Sequence, residues 1–99
     1  MEQQEWAFEN PPNIAVFTTR YILEGKDWIN YVSHDSDDGS WQFHGDSSPV
    51  SEEDARIVGL KEIVKMDPSI LELNDLPSGW YAWRETKQSE WQRAKNETS

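Results

Sequence analysis

The chain contains no cysteine among its 99 residues. This absence excludes disulfide bonds, thiolate nucleophiles and cysteine-ligated zinc. No stretch approaches the ~20 consecutive apolar residues that a membrane-spanning helix needs. Residues Met1 to Trp6 have neither the basic segment nor the apolar run of a secretory signal. We therefore expect a cytoplasmic protein without a membrane partner.

Basic side chains are scarce: nine Lys and Arg face 19 Asp and Glu, and the formal net charge is −10. A negative field of this size repels phosphate backbones and anionic lipids. The charge therefore argues against nucleic acid and favours a basic protein partner or bound cations. The alternative is that it serves only to keep the domain soluble.

Sequence motifs of catalysis are missing as well. No serine lies in a nucleophile-elbow sequence, and no glycine-rich phosphate loop occurs. We therefore predict no catalytic residues and no cofactor. Aromatic residues are plentiful instead, at 12% of the chain with six Trp, and they predict an aromatic-rich core.

The length suits one domain, which we place at residues 14–85 between polar segments 1–13 and 86–99. Residues 28–32 and 41–43 are rich in aromatic and β-branched side chains and flank an acidic turn with one glycine. This pattern predicts a β-hairpin.

Further strands and helices follow from turn and capping signals. Ser51 and Asp54 resemble a capping box, and Asp67-Pro68 predicts a second short helix. Gly59 interrupts the helical pattern, so residues 56–58 either end the first helix or form an extended link. The polar residues from Glu85 to Ser99 are predicted to form a frayed helix or a tail.

The predicted fold is therefore an α+β domain with a small twisted antiparallel sheet and one or two short helices packed on one face. The sheet is assigned to residues 14–24, 28–34, 40–44 and 79–84. The helical stretch is assigned to residues 51–74.

The acidic hairpin is the candidate interaction face, because acidic side chains there accompany an aromatic ring. Its residues are Asp35, Asp37, Asp38, Trp41, His44 and Asp46. Of the four tryptophans Trp28, Trp41, Trp80 and Trp83, we expect three in the core and one exposed. The function favoured on this basis is non-enzymatic protein binding.

The alternative is a metal-binding module or metal-dependent enzyme that uses His34, His44 and Asp46. The two histidines flank the hairpin turn and, with a carboxylate, form a possible ligand or general-base set. A calcium loop is disfavoured: counted from Asp35, the glycine expected at position six comes one place early, at Gly39. A solvated turn explains the aspartates better.

The order of several short motifs from Tyr21 to Arg84 resembles a family of small bacterial proteins of unknown function, which is similar to one group of predicted immunity proteins of polymorphic-toxin systems. The motifs are Ile22-Leu23-Glu24-Gly25-Lys26, Asp38-Gly39-Ser40-Trp41-Gln42-Phe43-His44-Gly45-Asp46, Leu60-Lys61-Glu62-Ile63-Val64, Asp67-Pro68-Ser69-Ile70 and Leu76-Pro77-Ser78-Gly79-Trp80. The resemblance implies a small α+β fold and no catalytic residues. It makes an immunity-like inhibitor of a toxin the sharpest form of the protein-binding prediction.

Overall fold

The computed structural model describes Phe8, residues 11–46 and residues 52–95. In this part of the chain, six strands and two short α-helices alternate with two 3-10 segments, Glu52–Asp54 and Pro68–Leu73. The strands are β1 (Ala15–Thr19), β2 (Tyr31–His34), β3 (Trp41–His44), β4 (Ala55–Gly59), β5 (Trp80–Trp83) and β6 (Gln92–Lys95). The helices are α1 (Arg20–Leu23) and α2 (Leu60–Met66).

The strands form one open, mixed sheet in the order β4-β1-β3-β2-β5-β6. The predicted α+β class is confirmed. The expectation of a wholly antiparallel sheet is wrong, because β1 and β3 run parallel while the other neighbours are antiparallel. The β2–β3 hairpin contacts β1 through β3, its second strand, which runs antiparallel to β2 and parallel to β1.

One face of the sheet carries the helices and the core. The buried cluster joins alternate strand residues to the apolar sides of α1, α2 and the segment Pro68–Leu73. Its members are Phe8, Val16, Ile22, Ile29, Val32, Trp41, Phe43, Leu60, Ile63, Val64, Ile70, Leu73, Leu76 and Ala82. Most of the predicted N-terminal segment 1–13 lies outside the described residues, but the Phe8 ring meets Trp41 edge-on at 5.3 Å between centroids.

The first strand is shorter than predicted because a helical turn begins inside the range 14–24. Thr19 ends β1 and caps α1, and its Oγ1 accepts a hydrogen bond from the Ile22 backbone N–H at 3.3 Å. The second strand begins at Tyr31 rather than Trp28. Threonine favours such N-cap positions because its hydroxyl satisfies an otherwise unpaired helix N–H.

The predicted helical stretch 51–74 is wrong over residues 55–59, which form β4. This segment pairs with β1 along all five residues, and the β-branched Ile57-Val58 favours a strand. Of the two alternatives for residues 56–58, the extended one is confirmed. Ser51 of the proposed capping box lies outside the described residues. The second helical start is confirmed: Asp67 accepts a hydrogen bond from the Ser69 backbone N–H at 3.1 Å and caps the 3-10 segment.

The prediction of a frayed helix or a tail after Glu85 is wrong for residues 92–95, which form the edge strand β6. Trp91, immediately before this strand, packs against the core. The Arg84 guanidinium lies 4.3 Å from the Trp91 ring centroid, and this contact joins the start of β6 to the residue that follows β5.

Candidate binding face

The pairing register divides the strand side chains between two faces. The face opposite the helices is called the open face here. Its strand positions are Ala15, Phe17, Thr19, Tyr31, Ser33, Gln42, His44, Ala55, Ile57, Gly59, Tyr81, Trp83, Gln92 and Ala94. They include no Lys and no Arg.

Two apolar patches occupy the open face. On one side, Phe17 and Ile57 are register partners on β1 and β4, with 38% and 63% of their surfaces exposed. On the other side, Tyr81 lies between two rings: its centroid is 5.8 Å from that of Tyr31 and 5.5 Å from that of Trp83. Trp83 is 36% exposed. Aromatic rings in such tilted contacts stabilise one another and present a broad, rigid surface.

A polar strip on β2 and β3 separates these patches. The Asp35 carboxylate accepts hydrogen bonds from Gln42 Nε2 at 2.7 Å and Ser33 Oγ at 3.3 Å. Gln42 Oε1 lies 3.0 Å from His44 Nε2, and an amide oxygen accepts, so this imidazole nitrogen carries the proton. The strip is therefore a chain of hydrogen bonds in which the imidazole donates to the amide and the amide donates to the carboxylate.

Burial and charge act in opposite directions on His44. Burial lowers the pKa of the imidazole below its ordinary value, and the negative charge of Asp35 opposes this shift. Burial raises the pKa of the Tyr31 phenol, and the charges of Tyr81 and Asp35 add to that rise. The negative charge of Asp35 therefore acts on both His44 and Tyr31.

The tip of the hairpin is the solvated turn that the sequence predicts. Asp35 and Ser40 close it with a backbone hydrogen bond of 2.8 Å, and Gly39 adopts a left-handed φ of 75°. Asp37 and Asp38 are exposed. Hydrogen bonds from Ser40 lower the pKa of the Asp38 carboxyl.

The six residues of the predicted interaction face do not share one surface. Asp35 and His44 contribute to the open face, whereas Asp37 and Asp38 lie at the tip of the hairpin. Trp41 belongs to the core instead, with 2% of its surface exposed, because its strand position faces the helices. The expectation of three core tryptophans is also corrected: only Trp41 of the four is buried, Trp28 and Trp80 are partly buried, and Trp83 is exposed.

Asp46 has a structural role next to β2. Its carboxylate accepts hydrogen bonds from Trp28 Nε1 at 2.8 Å and from Asn30 Nδ2. Its backbone N–H donates to the Asp27 carboxylate at 3.1 Å. These contacts hold the segment before β2 against the end of β3.

The proposed metal ligands do not converge. His34 and His44 lie on opposite faces of the hairpin, since their register partners are the buried Trp41 and the open-face Tyr31. His34 Nδ1 is 2.8 Å from the Leu76 carbonyl oxygen, and Asp46 is bound to Trp28 and Asn30. Among the described residues, no group of three His, Asp or Glu side chains has a metal-binding arrangement.

A cleft lies at the end of the sheet away from the hairpin tip. Residues 25–28 and 85–88 line it, and its volume is about 470 Å³. The lining residues include Trp28 and charged residues of both signs, such as Lys26 and Glu85. This mixture of charges gives the cleft no evident ligand preference.

The open-face residues that sequence reasoning missed are Phe17, Ile57 and Tyr81. Trp83 is the exposed one of the four tryptophans considered, but the sequence did not single it out. The alternation on β2, with Tyr31 and Ser33 on one side, was visible in the sequence, but the partners of this strand were not. Comparison of the chain with family models, curated proteins and solved structures gives no match. In the described part of the chain, no helix has the length and apolar character required to cross a membrane.

Proposed function

We propose that this protein is a non-enzymatic protein-binding domain that holds its partner on the open face. The observation that carries the proposal is the distribution of exposed apolar side chains. Among the described residues, four large hydrophobic side chains are exposed, and three of them, Phe17, Ile57 and Trp83, share the open face. Clustered apolar exposure marks interaction surfaces, whereas single exposed residues are ordinary.

The composition of the face supports a protein partner. Tryptophan and tyrosine are the residue types that dominate binding energy at protein interfaces, and a surrounding of weaker contacts excludes water from them. Trp83, Tyr81 and Tyr31 supply such a centre. The polar strip beside them offers hydrogen-bonding groups that fix the orientation of a partner.

Electrostatics favour a basic partner over a second copy of the same chain. Two copies would bring together two chains that each carry a formal charge of −10, and like charge opposes that association. The open face has no cationic strand residue of its own and includes the Asp35 carboxylate. A basic surface would therefore meet complementary charge and an accelerated association rate.

The motif resemblance of residues 21–84 extends the proposal to an immunity-like inhibitor. In that form the partner is a basic toxin whose functional surface is covered by the open face. The neighbouring genes in the native host and the inhibition of a captured toxin would test this form of the proposal.

Capture from the native host tests the open face directly. The wild-type chain, Trp83→Ala and Met66→Ala would be immobilised and exposed to the same lysate. Met66 is the matched control, since it is 44% exposed on α2. The captured protein is then purified, and its affinity for each variant is measured after circular dichroism has verified folding.

We expect Trp83→Ala to weaken binding by about tenfold or more and Met66→Ala to leave it unchanged. Phe17→Ala reports on the second apolar patch of the same surface. Undiminished affinity in both open-face variants would contradict the proposal.

A further inference from the structure

The Asp35 carboxylate occupies a fixed position beside aromatic rings. Ser33 and Gln42 are register partners on β2 and β3, and both donate to Asp35. Ser33 is also the register partner of Tyr81 on β5. The carboxylate is therefore anchored next to the row of rings formed by Tyr31, Tyr81 and Trp83.

The same chain uses this combination of ring and carboxylate elsewhere to bind arginine. The Arg20 guanidinium carbon lies 4.6 Å from the Tyr21 ring centroid, and its Nε donates to Asp54 at 2.8 Å. Arg84 lies over the Trp91 ring and donates to the Asp67 carboxylate. In both places a guanidinium contacts an aromatic face and a carboxylate together.

On the open face, the Tyr81 ring and the Asp35 carboxylate form a similar combination, but no arginine in the described part of this chain contacts them. The four arginines of the sequence are Arg20, Arg56, Arg84 and Arg93. Arg56 donates to backbone oxygens of residues 53 and 55, and Arg93 pairs with Asp75 at 2.6 Å. All four therefore have partners away from the open face.

We propose that the open face binds an arginine side chain of the partner protein, with the guanidinium over Tyr81 and its N–H groups directed to Asp35. This inference rests on the proposed function and names the group that the face recognises. Each Asp35 oxygen accepts one hydrogen bond within the chain, and a carboxylate offers about four acceptor sites. Acceptor capacity for a guanidinium therefore remains.

Arginine fits this arrangement better than lysine. The guanidinium is planar, so it lies flat on a ring while its fork of donors reaches a carboxylate. An ammonium is a compact and strongly hydrated charge that cannot make both contacts in the same way. The open face should accordingly distinguish two partners of equal charge.

Two synthetic peptides test this distinction on the full chain. Both have ten residues and alternate serine with a basic residue, which is arginine in one peptide and lysine in the other. Nuclear magnetic resonance titration follows the aromatic side-chain signals and the backbone amides. The arginine peptide should shift the Tyr31, Tyr81 and Trp83 signals saturably and bind about tenfold more tightly than the lysine peptide.

Matched variants test whether the preference depends on the proposed groups. Asp35→Asn should remove most of the difference in affinity between the two peptides. Glu62→Gln, which removes a charge from an exposed position on α2, should retain that difference. Tyr81→Leu removes the ring while keeping apolar volume, and it should also abolish the preference. It provides a second test if Asp35→Asn disturbs the hairpin.

Equal affinities for the two peptides, or shifts scattered over the acidic surface, would overturn the arginine inference. The proposed function would stand in that case if capture of the partner still depends on Trp83. Conversely, the proposed function would be overturned if the partner bound the Trp83→Ala and Phe17→Ala variants as tightly as the wild type. An arginine preference at Tyr81 would not rescue it in that case.

Discussion

The imidazole of His34 stacks on the indole of Trp41, with ring centroids 3.9 Å apart and planes inclined by 15°. The two residues are register partners in the hairpin and face the core side of the sheet. His34 Nδ1 donates to the Leu76 carbonyl, because a carbonyl oxygen only accepts. The pair therefore joins the hairpin to the segment that leads into β5. His34, which was a candidate metal ligand in the sequence, has a structural role here.

Replacement of Trp41 by alanine tests this core assignment. We expect Trp41→Ala to lower the free energy of unfolding by about 3–5 kcal/mol, the usual cost of truncating a buried aromatic. Chemical denaturation measures the change. Trp83→Ala is the matched control, since its ring is on the open face, and it should cost far less. Similar losses in the two variants would contradict the assignment.

Arg84 is the most strongly connected charge in the core. Its guanidinium donates to the Ile29 carbonyl twice, at 3.1 and 2.8 Å, and to Ser69 Oγ at 2.9 Å, beside its pair with Asp67. Only 2% of its side chain is exposed. Loss of this side chain leaves several buried acceptors and a carboxylate without their donor.

We therefore expect Arg84→Met to lower the free energy of unfolding by about 3–5 kcal/mol. Arg93→Met is the control: its pair with Asp75 is largely solvated, so its loss should change the stability far less. Urea titration of both variants compares the two ion pairs. A small effect at Arg84 would contradict this prediction and show that the packing around Trp28 and Trp91 is stable without the guanidinium.

Two glycines of the hairpin region are needed for different reasons. Gly39 has a φ of 75°, and a Cβ there would meet nothing within 4 Å. Gly45 has no such backbone requirement, but a Cβ would collide with the Asp27 carboxylate and the Trp28 backbone oxygen. The first position is constrained by backbone conformation and the second by space.

Alanine and asparagine at both positions separate these causes. Gly39→Ala should cost about 1–2 kcal/mol of stability and Gly39→Asn less, since asparagine tolerates the left-handed conformation. Gly45→Ala should cost at least about 1–3 kcal/mol through overpacking, and Gly45→Asn should give no relief. Thermal melting ranks the four variants. Rescue by asparagine at Gly45 would disprove the steric explanation.

Secondary structure is predicted best from the sequence where local signals and tertiary pairing agree. The hairpin around Gly39, the cap at Asp67 and the strand at Trp80 all follow from turn, capping or β-forming residues. Residues 55–59 could not be assigned in the same way. The acidic residues before them suggest a helix and Gly59 interrupts it, and only pairing with β1 decides that the segment is a strand. Periodicity is a local property, whereas strand pairing is not.

The candidate site illustrates the same limit. Its acidic and aromatic residues are visible in the sequence, but their faces depend on register, and a shift of one residue exchanges the two faces of a strand. Trp41 and His44 are three positions apart and therefore face opposite sides. Phe17 and Trp83 share the open face only because β1 and β5 belong to one sheet, which no local pattern reveals.

The titration of His44 reports on the polar strip of the open face. Burial lowers the pKa of this imidazole below 6.5, its ordinary value, and the nearby Asp35 charge partly restores it. In the unfolded chain, the imidazole takes up its proton at the ordinary pKa. As the pH falls through about 6.5, the unfolded state therefore binds the proton first, and the folded state loses stability until the pH passes the lower folded pKa.

Two measurements check this relationship. The titration midpoint of the His44 imidazole, followed by nuclear magnetic resonance, should lie below 6.5 in the wild type and fall further in Asp35→Asn, because that variant removes the opposing charge. Between about pH 7.5 and pH 5, the wild type should lose more stability than His44→Gln, which cannot take up the proton. A midpoint above the ordinary value would show that the Asp35 charge outweighs burial and would reverse the expected order of the stabilities.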